Sequence, residues 1–203
     1  MTEIESRLRD AARGIERPLD WALYARRAEE LELVDVAYSI EGSPVGDLLI
    51  AATRDGLVRV AYLDGSGRDQ VLAQLAAAVS PRVLEARRPL DECLRQLERY
   101  FAGRSRGFDL PLDWRLVGSF GRRVLEHTAR IPYGKVTTYG QIARALGAAG
   151  AARAAGGALA RNPIAIVVPC HRVVPGGGGV GGYAGGSERK RFLLSLEGAP
   201  AAG

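Results

Sequence analysis

Cys170 and His171 stand side by side in the run Ile164-Ala-Ile-Val-Val-Pro-Cys-His-Arg-Val-Val-Pro175 of a 203-residue chain, and a thiol beside an imidazole is a pairing that can attack an electrophile. Read alone, Cys170 is a packing residue, because free cysteine is among the most buried residue types. To act as a nucleophile it needs a base, since a free thiol titrates at about 8.5 and is mostly protonated at neutral pH. His171 can supply that base by two routes. Adjacent side chains in extended chain point to opposite sides, so direct contact needs a kink, for which Pro169 is placed; relay through a bound water is the other route. The base in turn needs an orienting acceptor. Glu197 fits, because it shares a side with Leu193 and Leu196 in Ser187-Glu-Arg-Lys-Arg-Phe-Leu-Leu-Ser-Leu-Glu-Gly198, at the helix end where the dipole disfavours a carboxylate without a partner. A plain surface glutamate is the alternative. Asn162, just before Pro163, either orients the thiol-bearing turn or caps the helix ahead of it.

These side chains need elements to position them. Ile164, Ile166, Val167 and Val168 read as a short buried strand, and Val173 and Val174 resume the apolar pattern after the interruption. In the last segment Ser187 caps a helix and Gly198 ends it. Upstream, Ser119 to Ala129 reads as a helix with Phe120, Val124, Leu125 and Thr128 on its apolar side and His127 near its C-terminal end, where a cation complements the dipole. Thr138 followed by Gln141 is a capping-box pattern opening a short helix that Gly147 stops. A second helix, Ala151 to Arg161, follows, so the pair reads as a helix-turn-helix. Its side around Arg153 is made of Ala149, Gly150, Gly156, Gly157 and Ala160, with Ala151, Ala155, Ala158 and Asn162 opposite. Interior glycines cost roughly 1 kcal/mol each relative to alanine, so something must approach closely: either a packed helix, or a minor groove about 6 Å wide into which Arg153 reaches.

The first half carries a different pattern. Residues 2 to about 32 have helical spacing. Then Val36-Ala-Tyr-Ser-Ile40, Gly46 to Thr53 and Gly56 to Leu63, separated by turn signals, predict a three-stranded antiparallel meander. Gln70 to Ala78 and Leu90 to Phe101 are helical by period, with Leu90, Cys93, Leu94, Leu97 and Phe101 on one stripe, which makes Cys93 a core residue. Phe108 to Trp114 reads as an extended linker. The expected fold is α+β: residues 1–112 form a supporting domain with a small sheet and helices, and residues 113–203 form a mostly helical domain with the helix-turn-helix.

Composition narrows the function. With 47% hydrophobic residues and mean hydropathy near zero the chain is an ordinary globular protein. No apolar run reaches the ~18 residues of a membrane span, and the N-terminus lacks a secretory pattern, so the expected location is the cytoplasm. Cys93 and Cys170 are too unlike in setting to suggest a disulfide, and Cys93, His127, Cys170 and His171 lack paired ligand spacings, so no metal site is expected. From Arg115 onward twelve basic residues face three acidic ones, a balance of +9 that leaves the rest of the chain at −4. That asymmetry reads as a nucleic-acid-facing domain carried by a supporting one.

Pro169-Cys-His-Arg-Val173, preceded by Gly156-Gly-Ala-Leu-Ala-Arg-Asn-Pro163 and followed by Gly182-Tyr-Ala-Gly-Gly186 and Leu193-Leu-Ser-Leu-Glu-Gly198, resembles the O6-alkylguanine-DNA alkyltransferases, also called methylated-DNA-protein-cysteine methyltransferases. The likeness runs motif by motif over Ser119 to Gly198 and only in layout before that. It implies direct DNA repair by a monomer without a cofactor: Cys170 irreversibly accepts the alkyl group of O6-alkylguanine, and of O4-alkylthymine, in double-stranded DNA. It implies that a chain of Glu197, His171, water and Cys170 activates the thiol, with Asn162 in support. Tyr139 would donate a proton to the guanine or help swing the nucleotide out. Arg153 would fill the stack after flipping, with Ala151, Ala152, Gly156 and Gly157 against the DNA. Leu159, Val173, Val180, Tyr183, Ala184 and Gly185 would form the base pocket. Two departures matter. Ala184 stands where serine is common, which removes one hydroxyl contact, and the first half lacks the cysteine-histidine cluster of zinc-binding relatives. Pro175-Gly-Gly-Gly-Gly179 is unusually glycine-rich and reads either as a mobile lid or as an idle loop.

Overall fold

Alternation of apolar residues over residues 36 to 62 builds a sheet with two buried faces. The structure, a computed structural model, describes residues 34–64 and 67–199; the helical reading of residues 2 to 32 lies outside them. β1 (Val36–Glu41), β2 (Leu48–Thr53) and β3 (Gly56–Tyr62) form the expected antiparallel meander. A fourth strand, β4 (Val83–Glu85), pairs in parallel with β1 and gives the order β3-β2-β1-β4. Its three residues are too few to show a period, so the sequence reading missed it. One face, with Tyr38, Leu49, Ala51 and Val58, packs on α1 (Gly67–Ala78) through Val71 and Leu75. The other, with Leu48, Ile50, Leu57 and Val60, joins a core that runs through α2 (Asp91–Phe101) into the second half as far as Leu193.

A bulge sets which side of β3 faces that core. Between Leu57 and Arg59 the strand gains one residue on β2, so that Ala51 and Ala52 oppose Arg59 and Leu57. The extra residue reverses the alternation, and Val60 and Tyr62 therefore turn to the same side as Leu57. β3 then bonds to two distant segments. Leu57 accepts from Asp113 N and donates to Pro111 O, which draws the linker in as an extended strip, and Val60 donates to Pro163 O while accepting from Ala165 N. The second contact ties the sheet to the segment leading into Cys170.

In the second half α3 (Ser119–Ala129) has the expected bounds and buries Val124, Leu125 and Thr128. α4 (Tyr139–Ala145) opens with the capping box: Thr138 accepts from Gln141 N, and Gln141 Oε1 accepts from Thr138 N. Gly147, at φ +72°, ends it in the left-handed region that glycine tolerates. α5 (Ala152–Ala160) completes the helix-turn-helix and buries Ala155, Ala158 and Leu159. The short parallel pair β5 (Thr137–Thr138) and β6 (Val173–Val174) joins the start of α4 to the residues just after the thiol. α6 (Ser187–Leu196) closes the fold. Gly186 rather than Ser187 is its cap, and Ser187, whose side chain makes no capping bond, begins the helix. Gly198 at φ +61° stops the chain beyond it as expected. Among the described residues no helix is long and apolar enough to cross a membrane.

Candidate active site

The segment read as a buried strand is a pair of tight turns. Val167 N bonds to Ala165 O across Ile166, which sits at φ +71°, and Cys170 N bonds to Val168 O across Pro169 at φ −81°, ψ 61°. These are a γ-turn and an inverse γ-turn, the first strained for a β-branched residue. Apolar composition alone cannot separate such a buried turn from a strand, because both want Ile and Val in the core. Cys170–Arg172 then form one 3₁₀ turn. The kink therefore exists, yet it does not bring thiol and imidazole into a direct hydrogen bond.

Asn162 holds the turns together. Its Nδ2 donates to Val168 O at 2.9 Å and to Cys170 Sγ at 3.1 Å, and its Oδ1 accepts from Ile164 N at 3.0 Å. Arg161, not Asn162, is the C-cap of α5. Of the two readings of Asn162, the turn-orienting one is the geometry present.

His171 and Glu197 form the other centre, both buried. His171 Nε2 lies 2.9 Å from Glu197 Oε1. Burial alone would push the Glu197 carboxyl up, but hydrogen bonds from His171 and Arg172 outweigh it and hold its pKa at about 2. An ionised carboxylate can only accept, so Nε2 carries the hydrogen, and Nδ1, which has no partner among the described residues, keeps its lone pair. Burial lowers the His171 pKa against the pull of Glu197, which leaves the ring neutral and basic. Cys170 is pushed up by burial, opposed by Asn162, Lys190 and Tyr183. The resting sulfur is therefore a protonated thiol, with a base close by in the fold and donors ready for the thiolate.

Three side chains in this network carried no role in the sequence reading. Arg172 clamps Glu197 with two bonds of 2.8 Å, Nε to Oε2 and Nη2 to Oε1. Tyr100, from α2, donates to Oε1 at 2.6 Å. Lys190, fully buried, donates from Nζ to Val173 O at 2.6 Å and to Gly182 O at 3.4 Å, so it spans both ends of the glycine-rich loop. Desolvation lowers its pKa to about 8. Spacing held the signal: Lys190 precedes Leu193 by three residues and Glu197 by seven, and Tyr100 follows Cys93 by seven and Leu97 by three, which puts each on its helix's buried stripe.

The remaining expected residues fall into two groups. Leu159, Val173 and Gly185 are buried, Val180 and Tyr183 half-buried, and Ala184 exposed. On α5 Arg153 is exposed and has no hydrogen bond or ion pair among the described residues, and Ala151, Ala152, Gly156 and Gly157 are half-buried beside it. The Tyr139 ring lies against Gly156, and its hydroxyl points toward Gly181, in the glycine-rich loop. A Cβ on Gly156 or Gly157 would meet its neighbours at 3.7 Å and 3.5 Å, ordinary contact distances. The protein's own packing therefore does not require these glycines.

A thiol, a neutral base and an ionised anchor, set in the core next to a helix-turn-helix, form a site suited to a group-accepting protein. The comparisons with known proteins name the kind. Residues 36–114 match the ribonuclease-like domain, and residues 119–199 the DNA binding domain, of 6-O-methylguanine DNA methyltransferase. The methylated-DNA–protein-cysteine methyltransferase of Methanosarcina acetivorans is 41% identical over 79% of this chain and 97% of its own length, and that of Mycolicibacterium paratuberculosis is 41% identical over 80% and 92%. The crystal structure of Mycobacterium tuberculosis OGT in complex with DNA superposes with a TM-score of 0.69 at 40% identity, covering 82% of this chain and 96% of that one. The chain belongs to the methylated-DNA–protein-cysteine methyltransferase family.

Proposed function

We propose that the protein repairs alkylated DNA by moving the alkyl group from O6 of guanine to its own Cys170, and that O4-alkylthymine is a second substrate. The observation that carries the assignment of roles is the buried His171–Glu197 pair, whose free imidazole nitrogen serves a thiol that is held by Asn162 and is protonated at rest. The thiol proton passes to His171 Nδ1 through a water, and Sγ attacks the alkyl carbon as the carbon–oxygen bond breaks. The electron pair stays on the guanine, which takes a proton from the Tyr139 hydroxyl. The proton held by His171 then returns through water to the Tyr139 phenolate, so the net change is one proton from the thiol to the guanine, and no oxidant, reductant or cofactor enters. The thioether has no leaving route, and each molecule acts once.

Access to Cys170, only 6% exposed, requires the nucleotide to leave the duplex. Unstacking costs roughly a few kcal/mol, which phosphate contacts and an arginine filling the gap can offset. Arg153 on the bare face of α5 is that arginine. Leu159, Val173, Val180, Tyr183, Ala184 and Gly185 surround the flipped base, and Ala184 contributes no hydroxyl. Residues 1–112 support and residues 113–203 bind and react. Two free thiols and a DNA substrate suit the cytoplasm. The test is intact-protein mass after incubation with a duplex carrying O6-methylguanine. The expected result is a gain of one methyl that is absent in Cys170→Ala; tight binding with unchanged mass would overturn the reading.

A further inference from the structure

β3 carries one more side chain at the site, half-buried, which the reaction above does not use. The Tyr62 hydroxyl lies 2.7 Å from that of Tyr183, and the two rings meet edge to face with centroids 6.0 Å apart. A Cβ placed on Gly185 would overlap the Tyr62 ring, so this glycine is there to admit it. Over the same ring, 4.7 Å from its centroid, lies the guanidinium of Arg189. Arg189 donates to Gly185 O at 3.2 Å and Val45 O at 2.7 Å and pairs with Asp64, which fixes the stack from the first half of the chain. Tyr62 therefore touches two of the expected pocket residues from behind, and the bulge in β3 is what turns it to that side.

The geometry of the pair lets either hydroxyl donate. Only one of two bonded hydroxyls donates to the other. Burial raises the pKa of both, and charge on Cys170 opposes ionisation of both; Arg189 eases that of Tyr62, and Tyr62 opposes that of Tyr183. With Tyr62 as the donor, the Tyr183 hydrogen is left for Cys170, whose pKa a bond from Tyr183 lowers.

We propose that Tyr62 is a positioning and specificity-determining residue of the acceptor site: by donating to Tyr183 and backing Gly185 it fixes the pocket wall against which the alkyl group must fit, and directs the Tyr183 hydrogen to Cys170. The proposal rests on the alkyl-transfer reading and adds that the sheet, not only the second half, sets the size of the accepted group.

Single-turnover transfer to Cys170 tests it, with duplexes carrying O6-methylguanine or O6-butylguanine and the full-length wild type, Y62F, Y183F, Y62F/Y183F and Y62L. Loss of one neutral hydrogen bond predicts that Y62F slows methyl transfer at saturating duplex about fivefold and leaves duplex affinity unchanged. That loss disappears in the Y183F background, because the hydroxyls act through one another. Y62L removes the ring behind Gly185 and narrows the preference for methyl over butyl about tenfold. Independent effects of Y62F and Y183F, or a methyl-to-butyl ratio in Y62L equal to wild type, would overturn the role of Tyr62. A wild type that transfers neither group would take down the alkyl-transfer reading as well, so the two failures are distinguishable.

Discussion

Glu197 is held ionised in the core by His171, Arg172 and Tyr100, and its low pKa is a statement about stability. Its folded value of about 2 lies below the ~4.3 of an unfolded glutamate. The contribution is therefore complete above the unfolded value and is lost as the pH falls toward 2; two units and more correspond to about 3 kcal/mol. Glu197→Gln should lower the urea midpoint at pH 7 and shrink its deficit between pH 4 and pH 2; a deficit independent of pH would contradict the ion-pair account. Lys190 is the second test at this scale. Its ammonium lies close enough to Cys170 to lower the thiol pKa, and Lys190→Met keeps the length but removes the charge. Iodoacetamide titration should then show the Cys170 pKa raised further, with methyl transfer about tenfold slower. Equal thiol titration in both proteins would refute that role. Cys170, His171, Asn162 and Glu197 were legible in the sequence because residue type and local position both pointed to them. Arg172, Lys190 and Tyr100 were not singled out, because charged and tyrosyl side chains default to surfaces, and only the packing of distant elements closes water off from them.

At the level of elements, α5 and the segment before Cys170 show what local pattern can and cannot reveal. The capping box at Thr138 and the stop at Gly147 are short-range signals, and the helix-turn-helix was read from them directly. Ile164 to Val168 reads as a strand but turns at Ile166, with a second γ-turn at Pro169 directly after it, since the bonds with Asn162 and Val60 that favour the turned path involve residues the apolar run does not contain. β4 was lost for want of length. On α5 the glycines make a prediction with two opposed signs. There is room for a Cβ at Gly156 and Gly157, and alanine favours helix by roughly 1 kcal/mol per residue. The Gly156→Ala/Gly157→Ala variant should melt at a higher temperature than wild type and yet bind duplex at least tenfold more weakly, because the added methyls obstruct close approach of DNA. Lower stability would mean that the glycines serve internal packing instead.

Across the whole molecule, one core joins both halves through β3, while charge is divided between them. The linker, the thiol-bearing turn and the pocket loop all meet this strand, at Leu57, Val60 and Tyr62, a convergence that no single stretch of sequence displays. The charge division was visible from counting alone. Arg123, Arg130, Lys135, Arg144, Arg153 and Arg161 are all exposed, whereas the reacting groups are buried behind them. Phosphate contacts release counterions and make affinity depend steeply on salt, whereas buried electrostatics are screened little. If about five of these cations meet phosphates, duplex affinity should fall roughly 10²- to 10³-fold between 50 and 200 mM salt. The rate of Cys170 methylation by free O6-methylguanine base, which meets no phosphate, should stay within about twofold over that range. Measuring both with the same protein separates binding from chemistry. A parallel decline would place the salt-sensitive charges at the thiol itself, and a flat duplex affinity would remove the basic face from DNA recognition.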